Sequence, residues 1–457
     1  MLRFSNFWRP DPASLPVASQ TEIESRYPYW RKRILYSTTI GYAVFYFVRK
    51  NMSVANPLLR EEIGIGKEEM GAALGIAALV YGVAKFASGM LADTLSPRAI
   101  MGAGLFLSAC ISLLLSFTSP ELSSFFGLSL TGFFALFWIA NNIFQGMGQP
   151  PCSRLLTQWF SPSEIGKYWG IWNASHHIGG AIILVLGGLL VTWFGSWRAV
   201  FFAPGVFALL FALVLINRLR DRPEAEGLPP VEVYRNDMNV EEAAALQSKG
   251  ETARQLFVKH ILKNRLVWIV SLVNLFIYIV RIGLLDWAPS FLKEGRGLSI
   301  VASANITAVF EIAGIAGAIA AGWLSDTWFQ GRRGRVSVLF MALLAVSVMV
   351  LIVIPHNAWL ISAVLFAIGF FVHGPMLLVA VAAADFATKK AAATAVGLTG
   401  LFGYVGAFIA NYGTGLIADR WGWDHVIYFY LISAFIGMIL LLTTWNDRSP
   451  VLDRYHH

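Results

Sequence analysis

Two arginines lie inside apolar stretches where membrane-spanning helices are expected, at equivalent places in the two halves of the chain. Arg49 lies in TTIGYAVFYFVRKNMSVANPLL and Arg281 in WIVSLVNLFIYIVRIGLLDWAP. About 20 apolar residues cross a bilayer as a helix, and a charge within such a helix costs at least about 2.5 kcal/mol. A guanidinium binds phosphate oxygens through two parallel hydrogen bonds. Two guanidinium groups facing one cavity therefore predict an anionic substrate, most simply a phosphate.

The spacing of the two arginines indicates an internal repeat. YFVR, ending at Arg49, recurs 232 residues later as YIVR, ending at Arg281. The motif GxLxDT, which contains Asp93, recurs 233 residues later around Asp326. This motif resembles a signature of the major facilitator superfamily, and the resemblance implies that the two aspartates lie at a cytoplasmic gate, paired with arginines or with helix ends.

Tyrosines accompany both arginines at helical spacing. Tyr42 and Tyr46 precede Arg49 by seven and three residues, and Tyr278 precedes Arg281 by three. Residues at these spacings share one face of a helix. Their hydroxyls are candidates for completing the phosphate shell or for facing the organic part of the substrate. The alternative is ordinary aromatic packing.

Further basic and polar side chains fall within the same predicted spans. Lys85 lies mid-span, where it is predicted to support the phosphate site. His176 follows Asn173 by three residues, so both lie on one helix face. We expect His176 to contact the substrate, and its titration near neutrality would bias which phosphate ionisation state binds. Lys50 points about 100° away from its neighbour Arg49 and is expected to pack against an acid on another helix.

Two acids share this region. Glu311 is expected either to receive a sugar hydroxyl or to balance Arg281. Asp286 follows Arg281 by five residues, a spacing that is poor for a direct pair on one helix. Because the basic side chains outnumber these two acids, the cavity is expected to attract a dianion.

The elements that must position these residues are membrane-spanning helices. The 457 residues are 56% hydrophobic and 14% charged, whereas soluble domains carry about 25% charged residues. We therefore predict an all-α polytopic membrane protein. Twelve apolar runs are predicted to span the membrane, near residues 34–58, 70–92, 98–118, 130–152, 166–192, 198–217, 265–291, 302–325, 336–354, 358–384, 392–418 and 424–445.

One long polar segment divides these spans into two sets of six. The predicted organisation is an N-terminus (1–33), a six-helix half (34–217), a linker (218–264), a second six-helix half (265–447) and a tail (448–457). Two glycine- and proline-rich sites at similar places in the halves are predicted hinges for a rocking motion: Gly146, Gly148, Pro150 and Pro151 in the fourth span, and Gly374 and Pro375 in the tenth.

The basic residues predict the orientation. Of the 35 lysines and arginines, 25 fall on the side of the N-terminus and six on the other side. Because cytoplasmic loops carry the excess of lysine and arginine, both termini and the linker are expected in the cytoplasm, most simply at a bacterial inner membrane. The net charge of +8 follows this topology and does not predict a nucleic-acid partner.

No pattern predicts an enzyme. The sequence has no P-loop, no dinucleotide-binding glycine motif, no HExxH and no paired CxxC. No nucleophile, base and orienting group stand together either. We expect no catalysis, no cofactor and no metal site.

The stretch GKYWGIWNASHHIGG (166–180) resembles the signature of the organophosphate:phosphate antiporter family of the major facilitator superfamily. The family pattern begins Arg-Gly and has Asn after the His, where this chain has Ile165 and His177. GYAVFYFVRKN (41–51), YGVAKF (81–86), YIVRIGLLDW (278–287) and FGYVG (402–406) are also similar to the family. The resemblance covers nearly the whole chain.

This resemblance implies the major facilitator fold, with 12 transmembrane helices in two six-helix halves. It implies that Arg49 and Arg281 are the phosphate ligands. It places around them the side chains of His176, Asn173, Lys85, Tyr42, Tyr46, Tyr278 and Tyr404.

Within the family, ESRYPYWRKRIL (24–35) and LRDRPEAEGLPP (219–230) are most similar to the hexose-phosphate branch, which includes a membrane-bound sensor. Enteric hexose-phosphate transporters tend to carry an Asp/Lys pair in the eleventh span, where this chain has Val396 and Thr399. The expected function is a monomeric antiporter that takes up glucose 6-phosphate in exchange for inorganic phosphate. One alternative is a glucose 6-phosphate sensor that signals to a partner kinase. Another is proton-coupled uptake of a different organic anion, relying on Glu311 or His176.

Overall fold

The structure, a computed structural model, describes residues 7–14, 19–161, 164–235, 264–386 and 392–447. The first half of the chain forms helices α1 Gln20–Phe47, α2 Asn51–Ile63, α3 Lys67–Thr94, α4 Pro97–Ser116, α5 Pro120–Phe125, α6 Leu130–Gln145, α7 Gln149–Trp159, α8 Ile165–Phe194 and α9 Ala199–Arg218. The second half, after a short helix α10 Val231–Tyr234, forms α11 Arg265–Ser290, α12 Ile300–Thr327, α13 Arg333–Val353, α14 Ala358–Phe386, α15 Ala392–Arg420 and α16 Trp423–Leu442.

Side-chain caps set the starts of several helices. Ser96 accepts a hydrogen bond from the Ala99 amide at the start of α4, and Ser129 accepts one from the Gly132 amide at the start of α6. Asn264 caps α11 in the same way. Such a cap satisfies one of the amides that a helix start leaves without a partner. The helix boundaries therefore follow from local sequence as well as from the apolar runs.

Ten helices in the described part of the chain are long and apolar enough to cross a membrane. Two predicted spans are each built from two helices instead. Helices α1 and α2 together cover the first span and are separated by residues 48–50, while α6 and α7 cover the fourth and are separated by residues 146–148. The all-helical architecture predicted from composition is confirmed.

The two predicted hinges differ in the structure. The fourth span is interrupted at Gly146–Gly148, whereas α14 runs through Pro375 without a break. Gly374 instead lies against the Phe340 ring of α13, which leaves no room for a side chain. The glycine in the tenth span therefore serves close helix packing here. Its role in motion stays a prediction.

The start of the linker packs on the first half. Leu228 and Val231 are buried, and the rings of Tyr27 and Tyr234 stack with centroids 3.9 Å apart. The Tyr27 hydroxyl donates to the Pro229 carbonyl at 2.8 Å. We call the side of the bundle that carries this segment the linker face. The rest of the predicted linker (236–263) and the predicted tail (448–457) lie outside the described residues.

Ion pairs join the halves on the opposite face. Glu294 binds Arg60, and lies 3.4 Å from Lys67. Lys293 contacts Glu61 at 2.5 Å, and a further pair of this kind joins Arg420 to Glu68. Each half contributes both signs of charge, so the opposite face is closed by reciprocal pairs.

On the linker face the halves stand apart. A Cβ built at Gly166 or Gly170 of α8, or at Gly397 or Gly400 of α15, has no atom within 4 Å. At the other end of α15, by contrast, Gly415 touches the Lys67 backbone. The structure is therefore closed on the opposite face and open on the linker face.

The two predicted gate aspartates have different surroundings. Asp326 binds Arg333 at the start of α13, and Arg333 also lies 3.5 Å from Asp385. Asp93 is exposed, and within the described residues it has neither an ion pair nor a hydrogen bond through its carboxylate. Asp326 is thus paired with an arginine, whereas in the described part of the chain Asp93 is not. A gating role for either residue stays a prediction.

We expect Gly71→Val to keep the opposite face from closing. A Cβ at position 71 stands 2.6 Å from the Asn411 carbonyl oxygen and 3.1 Å from the Gly415 Cα of the other half, and backbone cannot move aside as a side chain can. A thiol introduced by Ser53→Cys reports the opening of the opposite face. The two native cysteines, Cys110 and Cys152, are replaced by alanine so that only the new thiol reacts. Its labelling by an impermeant reagent applied from the opposite face should rise several-fold.

Gly66→Val is the matched control, because Gly66 has a φ of −65° and no atom within 4 Å of a built Cβ. Equal labelling in the Gly71→Val and Gly66→Val proteins would show that this helix crossing does not hold the face closed.

Candidate functional site

The break between α1 and α2 sends two adjacent cations in different directions. Helix α1 ends at Phe47 and α2 begins at Asn51. The Tyr46 carbonyl accepts from the Arg49 amide at 3.3 Å and from the Lys50 amide at 2.8 Å. Arg49 then lies among aromatic rings of the first half, while Lys50 reaches the second half.

Arg49 lies against tyrosine rings. Its guanidinium carbon is 3.7 Å from the centroid of the Tyr81 ring and 5.4 Å from that of Tyr46. A cation over an aromatic face is attracted by the ring quadrupole, and more strongly when water is excluded. In the described part of the chain Arg49 has no carboxylate partner. Its fork of hydrogen-bond donors is therefore available to an anion in the cavity.

Lys50 is neutralised across the interface between the halves. Its Nζ lies 2.5 Å from Asp286 Oδ1 on α11. Asp286 Oδ2 also accepts from the Asn411 amide group at 3.2 Å, and Asn411 in turn accepts from the Trp287 indole at 3.0 Å. This contact agrees with the expectation that Lys50 contacts an acid on a neighbouring helix. Asp286 therefore pairs with Lys50 and not with Arg281.

Arg281 has a more complete set of partners than Arg49. It is 5% exposed, its Nε donates to His373 Nε2 at 2.9 Å, and its guanidinium lies 3.8 Å from Glu311. Because His373 Nε2 accepts, its Nδ1 carries the proton and donates to the Gly369 carbonyl at 2.7 Å. The two arginines that the sequence predicts as equivalent are therefore unequal: among the described residues an acid balances Arg281, and none balances Arg49.

Glu311 lies behind Arg281 and does not line the cavity. It is fully buried, and its carboxylate lies 2.7 Å from His177 Nδ1 of the other half. Of the two roles expected from the sequence, the structure favours balancing Arg281 over receiving a sugar hydroxyl. His176, which precedes His177 in the chain, faces the cavity. The centroid of its ring lies 5.7 Å from that of the Tyr46 ring.

Most of the predicted site residues surround one central cavity of about 220 Å³. Lys85 Nζ lies 3.1 Å from the Tyr404 hydroxyl and so contacts the other half. The Tyr42 ring stacks on Trp172 at 5.0 Å. The predicted residues in the wall are Arg49, Arg281, His176, Lys85, Tyr46, Tyr278, Tyr42, Asn173 and Tyr404.

The site has a surplus of positive charge. In the described part of the chain, four cationic side chains line the cavity, and two carboxylates, one in the wall and one behind it, oppose them. With histidines neutral, the formal surplus is two positive charges. The cations are Arg49, Lys50, Lys85 and Arg281, and the carboxylates are Asp286 and Glu311.

Comparison with known proteins agrees with this architecture. Residues 38–411 match the family model described as Major Facilitator Superfamily. The chain is 40% identical over 458 residues to the "Probable hexose phosphate transport protein" of Chlamydia trachomatis, covering 98% of each chain. The chain belongs to the major facilitator superfamily, in its organophosphate:phosphate antiporter branch.

Other relatives of this superfamily member differ in what they do. It is 38% identical to the "Glycerol-3-phosphate transporter" of Bacillus subtilis, covering 96% of this chain and 98% of that one. It is 36% identical to the "Membrane sensor protein UhpC" of Escherichia coli, covering 96% and 97%. A solved structure of a bacterial homologue of the lysosomal transporter Spinster shares the fold, with a TM-score of 0.70, 15% identity and coverage of 91% and 97%. The protein is a multi-pass membrane protein of a family of transporters and not of enzymes.

Several cavity residues of this facilitator were not among those predicted. Tyr81 precedes Lys85 by four residues, and Asn411 follows Tyr404 by seven. Both residues could therefore have been found from their helical spacing to predicted site residues. Helical spacing also points to Trp169, which precedes Asn173 by four residues. It gives no signal for Trp138, Asn142, Gln149 and Met376, because these lie on helices without a predicted ligand.

Proposed function

We propose that the protein is an antiporter that takes up a hexose phosphate, most simply glucose 6-phosphate, in exchange for inorganic phosphate. The observation that carries this proposal is Arg49, a cation in the cavity wall that has no carboxylate partner among the described residues. A cavity with two surplus positive charges suits one dianionic phosphate, and a guanidinium fork suits its oxygens. The similarity to a hexose phosphate transport protein supports the choice of sugar phosphate.

The same charges couple the binding of phosphate to the change of face. Closing the linker face around an empty cavity removes Arg49 and Lys85 from water without a counter-ion, which costs several kcal/mol per charge. A bound phosphate removes this penalty, so the loaded carrier changes face and the empty one does not. A ligand shifts such an equilibrium only through its differential affinity for the two states. Obligatory exchange by alternating access follows.

We further propose that Arg49 and Arg281 bind the phosphate, with His176, Lys85, Tyr46 and Tyr278 around it. Tyr42, Asn173 and Tyr404 face the sugar. We also propose that the linker face lies in the cytoplasm of a bacterium, which its excess of lysine and arginine supports, and that the protein acts as a monomer.

Competition identifies the substrate. Exchange of labelled phosphate against trapped phosphate in proteoliposomes should be inhibited by glucose 6-phosphate at concentrations at least about tenfold below those needed of glycerol 3-phosphate. Unphosphorylated glucose should not inhibit. Stronger inhibition by glycerol 3-phosphate would move the proposal to the substrate of the Bacillus relative.

A receptor is the second candidate, favoured by the similarity to a membrane sensor over nearly the whole chain. The eleventh span agrees with it, because Thr399 bonds within the second half and carries no charge into the cavity. A receptor binds glucose 6-phosphate without exchanging it. Saturable binding to purified protein with no exchange of phosphate or sugar phosphate would favour the receptor.

A further inference from the structure

The break in the first span separates a pair of backbone groups that a continuous helix would join. In an α-helix the Met52 amide would donate to the Val48 carbonyl. Here the Met52 amide donates to Asn51 Oδ1 at 2.9 Å. The Val48 carbonyl accepts from Asn141 Nδ2 of α6 at 3.0 Å. Two asparagine side chains therefore take the places of the missing helical partners.

Asn141 is itself held in position. It is 1% exposed, and its Oδ1 accepts from the Ser108 hydroxyl of α4 at 2.5 Å. Gln145 Nε2 donates to the same hydroxyl at 2.6 Å. Both neighbours are buried. This network fixes which end of the Asn141 amide faces Val48.

We propose that Asn141 is a positioning residue for Arg49. By binding the Val48 carbonyl it holds the first span broken immediately before Arg49 and Lys50. The break directs Arg49 to Tyr81 and the cavity, and Lys50 to Asp286. As far as it concerns phosphate binding, this inference rests on the proposed function.

Loss of the Asn141 amide has a defined consequence. A buried carbonyl without a donor is costly, and the donor that a continuous helix would supply is the Met52 amide. Restoring that bond closes the break and rotates residues 49 and 50 about the helix axis. Arg49 then leaves the Tyr81 ring, although Asn141 itself is not part of the cavity wall.

A thiol at position 49 tests this geometry without requiring transport. Arg49→Cys is placed in the full chain with Cys110 and Cys152 replaced by alanine, and its reaction rate with a charged methanethiosulfonate is measured. Adding Asn141→Leu should change that rate at least fivefold. Asn141→Ala also removes the donor, so it should act in the same direction and serves if the leucine variant does not fold.

Two serines of α4 give a matched pair of controls. Ser108→Ala removes the hydroxyl that orients Asn141 and should change the rate less than Asn141→Leu, in the same direction. Ser112 is also buried but donates to the Phe201 carbonyl at 3.0 Å, away from the first span. Ser112→Ala should leave the rate within twofold. Rates that are the same in the Asn141 variants and in Ser112→Ala would overturn the proposal.

Phosphate exchange with Arg49 intact separates positioning from general damage. Asn141→Leu should raise the KM for inorganic phosphate about tenfold and change the maximal rate less, whereas Ser112→Ala should change neither. A normal KM in Arg49→Lys, together with a shifted thiol rate in Asn141→Leu, would overturn the proposed function and leave the positioning role standing. An unshifted thiol rate with a raised KM in Arg49→Lys would overturn the positioning role alone.

Discussion

Arg49→Lys and Arg281→Lys are each expected to lower phosphate exchange about 10- to 100-fold. Lysine keeps the charge but loses the planar fork, so at least one charge-assisted hydrogen bond to the phosphate is lost, worth about 1.5–3 kcal/mol. Each 1.4 kcal/mol corresponds to a tenfold change. Arg281→Lys also loses the bond to His373 Nε2. The measurement is the initial rate of exchange of labelled phosphate in proteoliposomes.

Arg198→Lys is the matched control for these two variants. Arg198 binds Glu62 within the first half and donates to the Thr118 carbonyl at 3.0 Å, and it does not line the cavity. It should keep exchange within twofold of the unmodified protein. Near-normal exchange in both Arg49→Lys and Arg281→Lys would refute their role as phosphate ligands.

Breaking the Lys50–Asp286 pair is expected to have the largest effect on stability. The two side chains are largely buried, 2.5 Å apart, and lie on different halves. Removing one partner leaves an uncompensated buried charge, which costs about 3–5 kcal/mol. Asp286→Asn and Lys50→Gln should each lower the melting temperature of the purified protein markedly. The double variant leaves two neutral groups and should recover most of that loss.

The double-mutant cycle gives a coupling energy for the pair. We expect at least about 2 kcal/mol for Lys50 and Asp286, since a desolvated pair is involved. The same cycle on Arg198→Gln and Glu62→Gln, which are partly exposed, should give less than about 1 kcal/mol. Effects at Lys50 and Asp286 that simply add would show that the pair does not link the halves.

The fold class could be predicted from the sequence because the apolar runs are long. Each run is recognised from its own residues, without knowledge of distant contacts. The sequence also predicted a hinge in the fourth span, and the helix is interrupted at that place, where Gly146 and Gly148 favour a bend. The break in the first span lies at Val48, Arg49 and Lys50, which have no such signal. That break depends on a contact with Asn141, 93 residues away, and a pattern along the chain does not contain it.

The sequence predicted which residues belong to the candidate site better than it predicted which of them pair with each other. Helical spacing placed Tyr42, Tyr46 and Tyr278 beside their arginines, and the structure brings them to the cavity. The internal repeat suggested two equivalent arginines, but in the part of the chain that the structure describes Glu311 has no counterpart that balances Arg49. Which acid meets which cation depends on how helices of different halves face each other. Their packing decides that Asp286 binds Lys50 and Glu311 lies beside Arg281.

The central claim is that phosphate must occupy the cavity for the carrier to change face. Uptake of labelled glucose 6-phosphate into proteoliposomes, with and without trapped inorganic phosphate, tests it most directly. The account predicts rapid uptake only when phosphate is trapped inside. Equal uptake into vesicles without trapped phosphate would contradict obligatory exchange, and no uptake under either condition, with binding intact, would contradict transport and favour the receptor.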